Sequence, residues 1–328
     1  MKIVINQIMT VSSPPHMYGT DTIEARMRDV LIALSPAFCM SLYHYGVTAF
    51  YTTAVAVLSA LLAEYLYQRV MNKPVTVNDF SAAITGILLA FNLPPDVPLW
   101  LPAVGSFFAI IIVKQLFGGL GSNFVNPALA ARAFLLASFP VHMTNWTFSA
   151  DAVTSATYLA QVKQDPSFSP ELSDYLALLF GKVGGCIGET SAVALLAGGV
   201  FLLVRRIINW RIPVFYIGSF AVFSFIFGRT GFLSGQKILF EILNGGLIMG
   251  AFFMATDYAT SPITTKGKIV MGIGCGFLTV FIRFFGGYPE GVSYAIIIMN
   301  LFVPLIDKYV RPRVYGHGKI VNRKRVKG

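Results

Sequence analysis

Apolar residues run through this chain in long stretches cut by glycine, proline and charge. The stretches predict helices at about 30–47, 49–68, 79–92, 99–117, 125–140, 176–204, 212–228, 238–256, 268–286 and 292–308. Crossing the hydrocarbon core of a bilayer takes roughly 20 apolar residues in a helix, so the pattern reads as about ten spans. Some are short or broken. The third stops at Leu93-Pro94-Pro95, and the sixth is interrupted by Gly181, Gly184, Gly185 and Gly188. Broken spans survive in a membrane only where protein or a cavity satisfies the freed backbone groups, so these breaks point to a site inside the bundle.

Composition agrees and adds a direction. Of 328 residues, 55% are hydrophobic and only 12% charged, with a mean hydropathy of +0.67; soluble domains are usually about 25% charged. Thirty glycines suit closely packed membrane helices. The net charge of +10 would suggest a nucleic-acid partner in a polar protein. Here it is a topology signal, because lysine and arginine gather on cytoplasmic loops. With an even number of spans, one side carries Lys2, Arg26, Arg28, Arg69, Lys73, Arg205, Arg206, Arg211, Lys266 and Lys268, and a basic tail from Lys308 to Lys327. That side is expected to be cytoplasmic, with both termini on it. Lys114 and Arg132, near the cytoplasmic ends of the fourth and fifth spans, are expected to snorkel.

The expected organisation is a cytoplasmic segment 1–29, a first five-span repeat 30–140, an external loop 141–175, a second five-span repeat 176–308 and a cytoplasmic tail 309–328. The repeats show as a weak echo. Gly86-Ile-Leu-Leu-Ala-Phe-Asn runs towards Pro94, as Gly250-Ala-Phe-Phe-Met-Ala-Thr runs towards Pro262, and Phe117-Gly118-Gly119 recurs as Phe285-Gly286-Gly287. Five spans per half force the halves into opposite orientations, so the fold class is an all-α polytopic membrane protein with inverted repeats and broken helices. Cys39, Cys186 and Cys275 are far apart with no CxxC, which excludes an iron–sulfur or zinc site built from this chain alone.

The external loop holds Asp151-Ala152-Val153-Thr154-Ser155-Ala156-Thr157. By composition this is an ordinary small-residue loop. It resembles the D-x-x-(S/T)-G-A-T signature on which a flavin transferase esterifies the FMN phosphate to the final threonine. Thr157 takes that position, Asp151 is the leading acid, and Thr154 and Ala156 match; Ser155 replaces the usual glycine, which removes backbone freedom there. Further segments carry the likeness over nearly the whole chain. They are Asn126-Pro127-Ala128 with Arg132-Ala133-Phe134-Leu135, Gly188-Glu189-Thr190-Ser191-Ala192, Phe253-Met254-Ala255-Thr256-Asp257 with Ser261-Pro262, Tyr288-Pro289-Glu290-Gly291, and the closing Met299-Asn300-Leu301-Phe302-Val303-Pro304-Leu305-Ile306-Asp307. Together they are similar to the RnfD/NqrB family, and the length fits its Rnf branch better than its sodium-pumping NADH:quinone reductase branch.

The resemblance implies a bacterial inner-membrane subunit of an ion-translocating ferredoxin:NAD oxidoreductase, without complete activity alone. Electrons from reduced ferredoxin would pass through iron–sulfur centres of other subunits to covalent flavin on the outer face and return inward towards NAD. This chain would carry FMN on Thr157 and, by likeness to its relative, a noncovalent riboflavin nearer the cytoplasm; Asn126 and Arg132 are candidate flavin contacts. Implied partners are the other Rnf subunits (A, B, C, E and G) and the flavin transferase, with ferredoxin and NAD reached only through those subunits. No G-x-G-x-x-G fingerprint follows a strand, so NAD is expected to bind elsewhere.

Acids within the apolar runs are the candidates for moving Na⁺ or H⁺, because charge inside a membrane is costly. Glu189, in the glycine-rich break beside Thr190 and Ser191, leads; Glu64 and Asp257 follow. Hard cations prefer such oxygen-rich surroundings. Glu64 has a plainer reading as an ion-pair partner of Arg69. Asp79 and Asp307 lie at cytoplasmic ends where water or Lys308 satisfies them. An inverted-repeat bundle would serve a non-redox channel or solute transporter equally well; solute flux through a flavin-free chain would mark that alternative.

Overall fold

A computed structural model describes residues 22–144, 171–181, 184–189, 191–227, 235–287 and 291–310. All regular structure among them is helical. The long helices are α1 (Ile23–Tyr45), α2 (Val47–Val70), α3 (Ser81–Phe91), α4 (Trp100–Gln115, π-helical from Phe108) and α5 (Pro127–Ser138). From residue 171 onward come α6 (Leu172–Phe180), α7 (Ala192–Val204), α8 (Arg211–Phe227), α9 (Gly235–Leu243), α10 (Leu247–Met254, π-helical from Gly250), α11 (Thr265–Phe285) and α12 (Val292–Tyr309). Three of these, α2, α11 and α12, are each long and apolar enough to cross a membrane; α9 and α10 pass together but bend by 64° at their break. The shorter apolar helices α3, α4, α5, α7 and α8 fall on other predicted spans, and α1 covers most of the first.

Local chemistry explains where the elements begin and bend. Thr22 caps α1, its hydroxyl accepting from Ala25 N at 3.2 Å. The helix thus starts about two turns before the apolar run, through Glu24 to Asp29, and Asp29 is held there by Arg205 at 2.8 Å. Inside α1, Pro36 cannot donate to Ile32 O; the Ser35 hydroxyl does so instead, at 2.7 Å. Asn126 caps α5 through Ala128 N and Leu129 N, with Pro127 in the first turn where a missing N–H costs nothing.

The packing partners of the two halves follow a similar pattern. In the first, α2 packs against α3 and α4; in the second, α8 packs against α9 and α11, while α1 packs on α7 and α5 on α12. Small residues set the close approaches. A side chain at Gly86 would come within 2.8 Å of Ala56 O, and one at Gly276 would come within 2.8 Å of Tyr216 O. Without a hydrophobic drive between helices in lipid, such backbone proximity is what holds a bundle together.

The half-helices give the clearest correspondence. α3 has only 11 residues, about 16 Å of rise against a hydrocarbon core of about 30 Å. It follows Phe80, which is left-handed at φ 61°, as α10 follows Gly246 at φ 68°. A basic residue from the long helix of the same half anchors each start: Lys114 reaches Ser81 Oγ at 2.6 Å, and Arg283 reaches Gly245 O at 3.1 Å. The sequence echo pairs Gly86 with Gly250, and on that register the left-handed residues Phe80 and Gly246 agree to within two positions.

Candidate functional site

Polar groups gather at three levels of the bundle: near the face carrying Arg26 and Arg205, in the middle, and near the opposite face.

At the basic face a buried network joins the two long helices of the first half to the start of α3. Lys114 Nζ lies 2.8 Å from Glu64 Oε1 and 2.6 Å from Ser81 Oγ, with Glu64 and Lys114 almost fully buried. Gln115 donates to the same carboxylate oxygen at 2.7 Å, and the Ser81 hydroxyl donates on to Asp79 at 2.5 Å. The pairing of Glu64 with Arg69 is therefore corrected. Arg69 points outward to the Tyr65 hydroxyl, because the glutamate faces the α2–α4 seam. Lys114 does not snorkel; its ammonium has buried acceptors within reach. Asp307 accepts from the backbone N–H of Ile263, a contact its terminal position did not suggest.

Beside this network a cleft enclosing about 100 Å³ opens between α1, α3, α5 and α10. Its walls are apolar, from Ile84, Leu88, Phe252 and Phe253, and its polar edge carries Asn123, Asn126, Thr256 and Asp257. Asp257 is held by Thr260 at 3.1 Å. A slot with greasy walls and a few fixed amides and hydroxyls is the usual form of a site for a flat organic ligand.

In the middle, the carboxyl ends of α3 and α10 meet. Asn92 donates to Leu88 O at 2.6 Å and reaches Met254 Sδ at 3.7 Å, while Asn126 donates to Met254 O at 3.3 Å. Asn300 turns its amide nitrogen to Thr260 O and accepts from Asn126 N, each at 3.1 Å. These amides satisfy carbonyls that ending a helix inside a bilayer would leave bare. Arg132 sits above them, 6% exposed. It donates to Ser293 Oγ at 2.6 Å, Asn92 Oδ1 at 3.3 Å and Cys186 Sγ at 3.6 Å. It therefore ties both halves together, and the snorkelling expected of it is corrected.

Towards the opposite face, the glycine-rich break of the sixth span dips into the bundle. Ile187 N bonds Leu93 O at 3.0 Å, so the two predicted breaks are hydrogen-bonded to each other. Gly188 lies on the Phe91 ring so closely that no side chain fits there. Next in the chain, the Glu189 carboxylate rests on Gly246 at the start of α10. Arg283 closes the α9–α10 break, donating to Glu241 O at 2.8 Å and to Asn244 O and Gly245 O at 3.1 Å, with its guanidinium 5.0 Å from the Phe220 ring centroid.

The candidate positions thus separate. Asp257 and Asn126 line the cleft, Glu64 reaches it only through Lys114, Arg132 holds the middle and Glu189 lies beyond. Asp151, Thr154, Ser155, Ala156 and Thr157 lie outside the described residues. Asn92, Cys186, Ser293 and Arg283 carry geometry that their sequence positions did not single out. The signal that marks them is polarity within an apolar run, and it holds for amides, hydroxyls and cations as much as for acids.

This architecture defines a class: an all-helical, multi-pass membrane protein whose broken helices meet around buried polar groups. Comparison with known proteins makes the class specific. The profile of the NQR2, RnfD, RnfE family matches residues 10–316, and the chain belongs to this family. It is 50% identical over 315 residues to the D component of the Na⁺-translocating ferredoxin:NAD⁺ oxidoreductase complex of Acetobacterium woodii, covering 95% of this chain and 96% of that one. It is 42% identical over 320 residues to the D component of the proton-translocating ferredoxin:NAD⁺ oxidoreductase complex of Clostridium ljungdahlii, covering 94% and 96%. A third relative, 36% identical over 339 residues, is the D component of the ion-translocating oxidoreductase complex of Halorhodospira halophila, covering 93% and 95%.

Proposed function

We propose that this chain is the RnfD-type membrane electron-transfer component of an Rnf complex, carrying FMN in phosphoester linkage on Thr157 and coupling electron flow between reduced ferredoxin and NAD to Na⁺ or H⁺ movement. The observation that carries this reading is the Asp151–Thr157 motif in a chain 50% identical to a component of such a complex. A threonine hydroxyl among small neighbours can accept the flavin phosphate, and Asp151 and Thr154 would position the loop for the transferase. Flavin, once bound, supplies one- and two-electron redox chemistry; the chain's part is to hold it and exclude water. Both ions occur among the relatives' names, so the family fold is compatible with either. In-gel fluorescence of the denatured chain, from cells that also make the transferase, tests the reading; a dark band contradicts it.

The cleft at the basic face is proposed to hold a second, noncovalent flavin of the riboflavin type, with Asn123 and Asn126 facing its polar edge and Phe252 and Phe253 its flat faces. Asn123→Leu leaves the α5 cap intact. Losing one buried amide contact of about 1–1.5 kcal/mol lowers retained noncovalent flavin roughly five- to tenfold. Flavin released by acid from the purified complex measures this, and unchanged release contradicts the site.

Glu189, Glu64 and Asp257 are proposed to handle the coupled ion at the two ends of the bundle. Glu189→Gln is expected to lower ion uptake by inverted vesicles about tenfold, the worth of one charged ligand, with flavin content unchanged. Unaltered uptake removes Glu189 from the route.

A further inference from the structure

Secondary transporters built from inverted repeats bind their cation in the middle of the bundle, where carbonyls at the ends of broken helices supply the ligands. This chain has the same construction. The carboxyl ends of α3 and α10 converge, and the carbonyl ends of two half-helices form a negative end of the kind a cation seeks. The position beside them is taken by Arg132. Its guanidinium is buried and held by Ser293 Oγ at 2.6 Å, Asn92 Oδ1 at 3.3 Å and Cys186 Sγ at 3.6 Å. Arginine keeps its proton at any biological pH. A mobile ion can leave such a place; this one is covalently part of α5.

Its contacts put it between the two polar ends of the molecule. On one side, Cys186 begins the turn that carries Glu189. On the other, Asn92 bonds the end of α3 and touches Met254, whose carbonyl is bound by Asn126, a wall of the basic-face cleft. The guanidinium thus stands between the turn that carries Glu189 and the cleft that carries Asp257. A fixed positive charge in a narrow, low-dielectric passage is how pores exclude protons and cations.

We infer that Arg132 is a tethered cation that seals this helix bundle against passive Na⁺ and H⁺ flow. The inference does not depend on the flavin at Thr157. The fixed charge stands between the proposed ion-handling acids at the two ends of the bundle, so that ions do not run down their gradient when no electrons flow.

The test is passive cation entry into vesicles reconstituted with the whole purified complex, without electron donor, followed with radioactive sodium and with a pH-sensitive dye. Calcein trapped in the same vesicles reports rupture. Parent complex and Arg132→Lys, which keeps the charge, are expected to stay tight. Arg132→Gln, close in shape but neutral, is expected to admit sodium or protons on the order of 100-fold faster, the effect of removing a unit charge about 6 Å from an ion at an effective dielectric constant near 20, with calcein retained. A tight Arg132→Gln complex overturns the inference, as does an Arg132→Lys complex as leaky as Arg132→Gln, which would make the hydrogen bonds and not the charge the seal. If Arg132→Gln does not assemble, the double variant Asn92→Ala/Ser293→Ala frees the guanidinium from two of its anchors. A smaller cation leak with retained calcein then supports the inference, and tight vesicles overturn it.

Discussion

Replacing Thr157 with alanine is expected to leave the denatured chain without flavin fluorescence and to reduce ferredoxin-dependent NAD reduction by the complex to background. The reason is chemical. A phosphoester needs a hydroxyl at that position, and no second flavin-acceptor signature occurs in the sequence. Thr157→Ser keeps a hydroxyl and is expected to retain part of the label. Ser155→Gly restores the glycine usual in this signature, returning backbone freedom to the loop, and is expected to label at least as well as the parent. Fluorescence that survives Thr157→Ala moves the attachment elsewhere and removes the central assignment.

The second large effect is expected at the buried pair of Glu64 and Lys114. The two charges lie 2.8 Å apart, both almost fully buried. Removing one partner strands the other in a low-dielectric interior, at a cost of about 3–5 kcal/mol; replacing both with apolar residues of similar volume is often close to neutral. Lys114→Met is therefore expected to lower the melting temperature of the detergent-purified complex sharply, and Glu64→Met/Lys114→Met to recover most of the loss. The double variant also separates roles. A complex that is stable again yet no longer takes up ions assigns Glu64 to coupling, whereas recovery of both stability and uptake makes the pair structural. A single Lys114→Met variant as stable as the parent would mean that the pair is solvated and contributes little.

Much of the fold was legible because the apolar runs are long and their punctuation is physical. Pro94-Pro95 and the glycines of the sixth span marked breaks, and both breaks fall where helices end inside the bundle and bond to each other through Ile187 and Leu93. The start of α1 was not legible, because Glu24 to Asp29 look like loop until Thr22 caps them and Arg205 pairs with Asp29. The partners of buried charge were hidden for a related reason. Sequence spacing offers Arg69 to Glu64, but the acid points across to a lysine 50 positions away, and only packing decides that. Arg132 and Lys114 looked like interfacial cations because hydropathy records depth, not the acceptors waiting there. The junction of α3 and α10 depends on amides, Asn92, Asn126 and Asn300, whose meaning comes from helix ends that bring their carbonyls together.

The proposed parts fit one molecule: an aromatic slot at the basic face, acids near each end, a fixed cation between them, and the flavin proposed on Thr157. The attachment at Thr157 is central, and the most direct measurement is the mass of the tryptic peptide from Ala133 to Lys163, taken from complex made together with its transferase. Esterification at Thr157 predicts that peptide heavier by one FMN less one water, with fragmentation placing the addition on Thr157. An unmodified peptide from a complex that reduces NAD with ferredoxin, or the same added mass on Thr154 or Ser155, would contradict it.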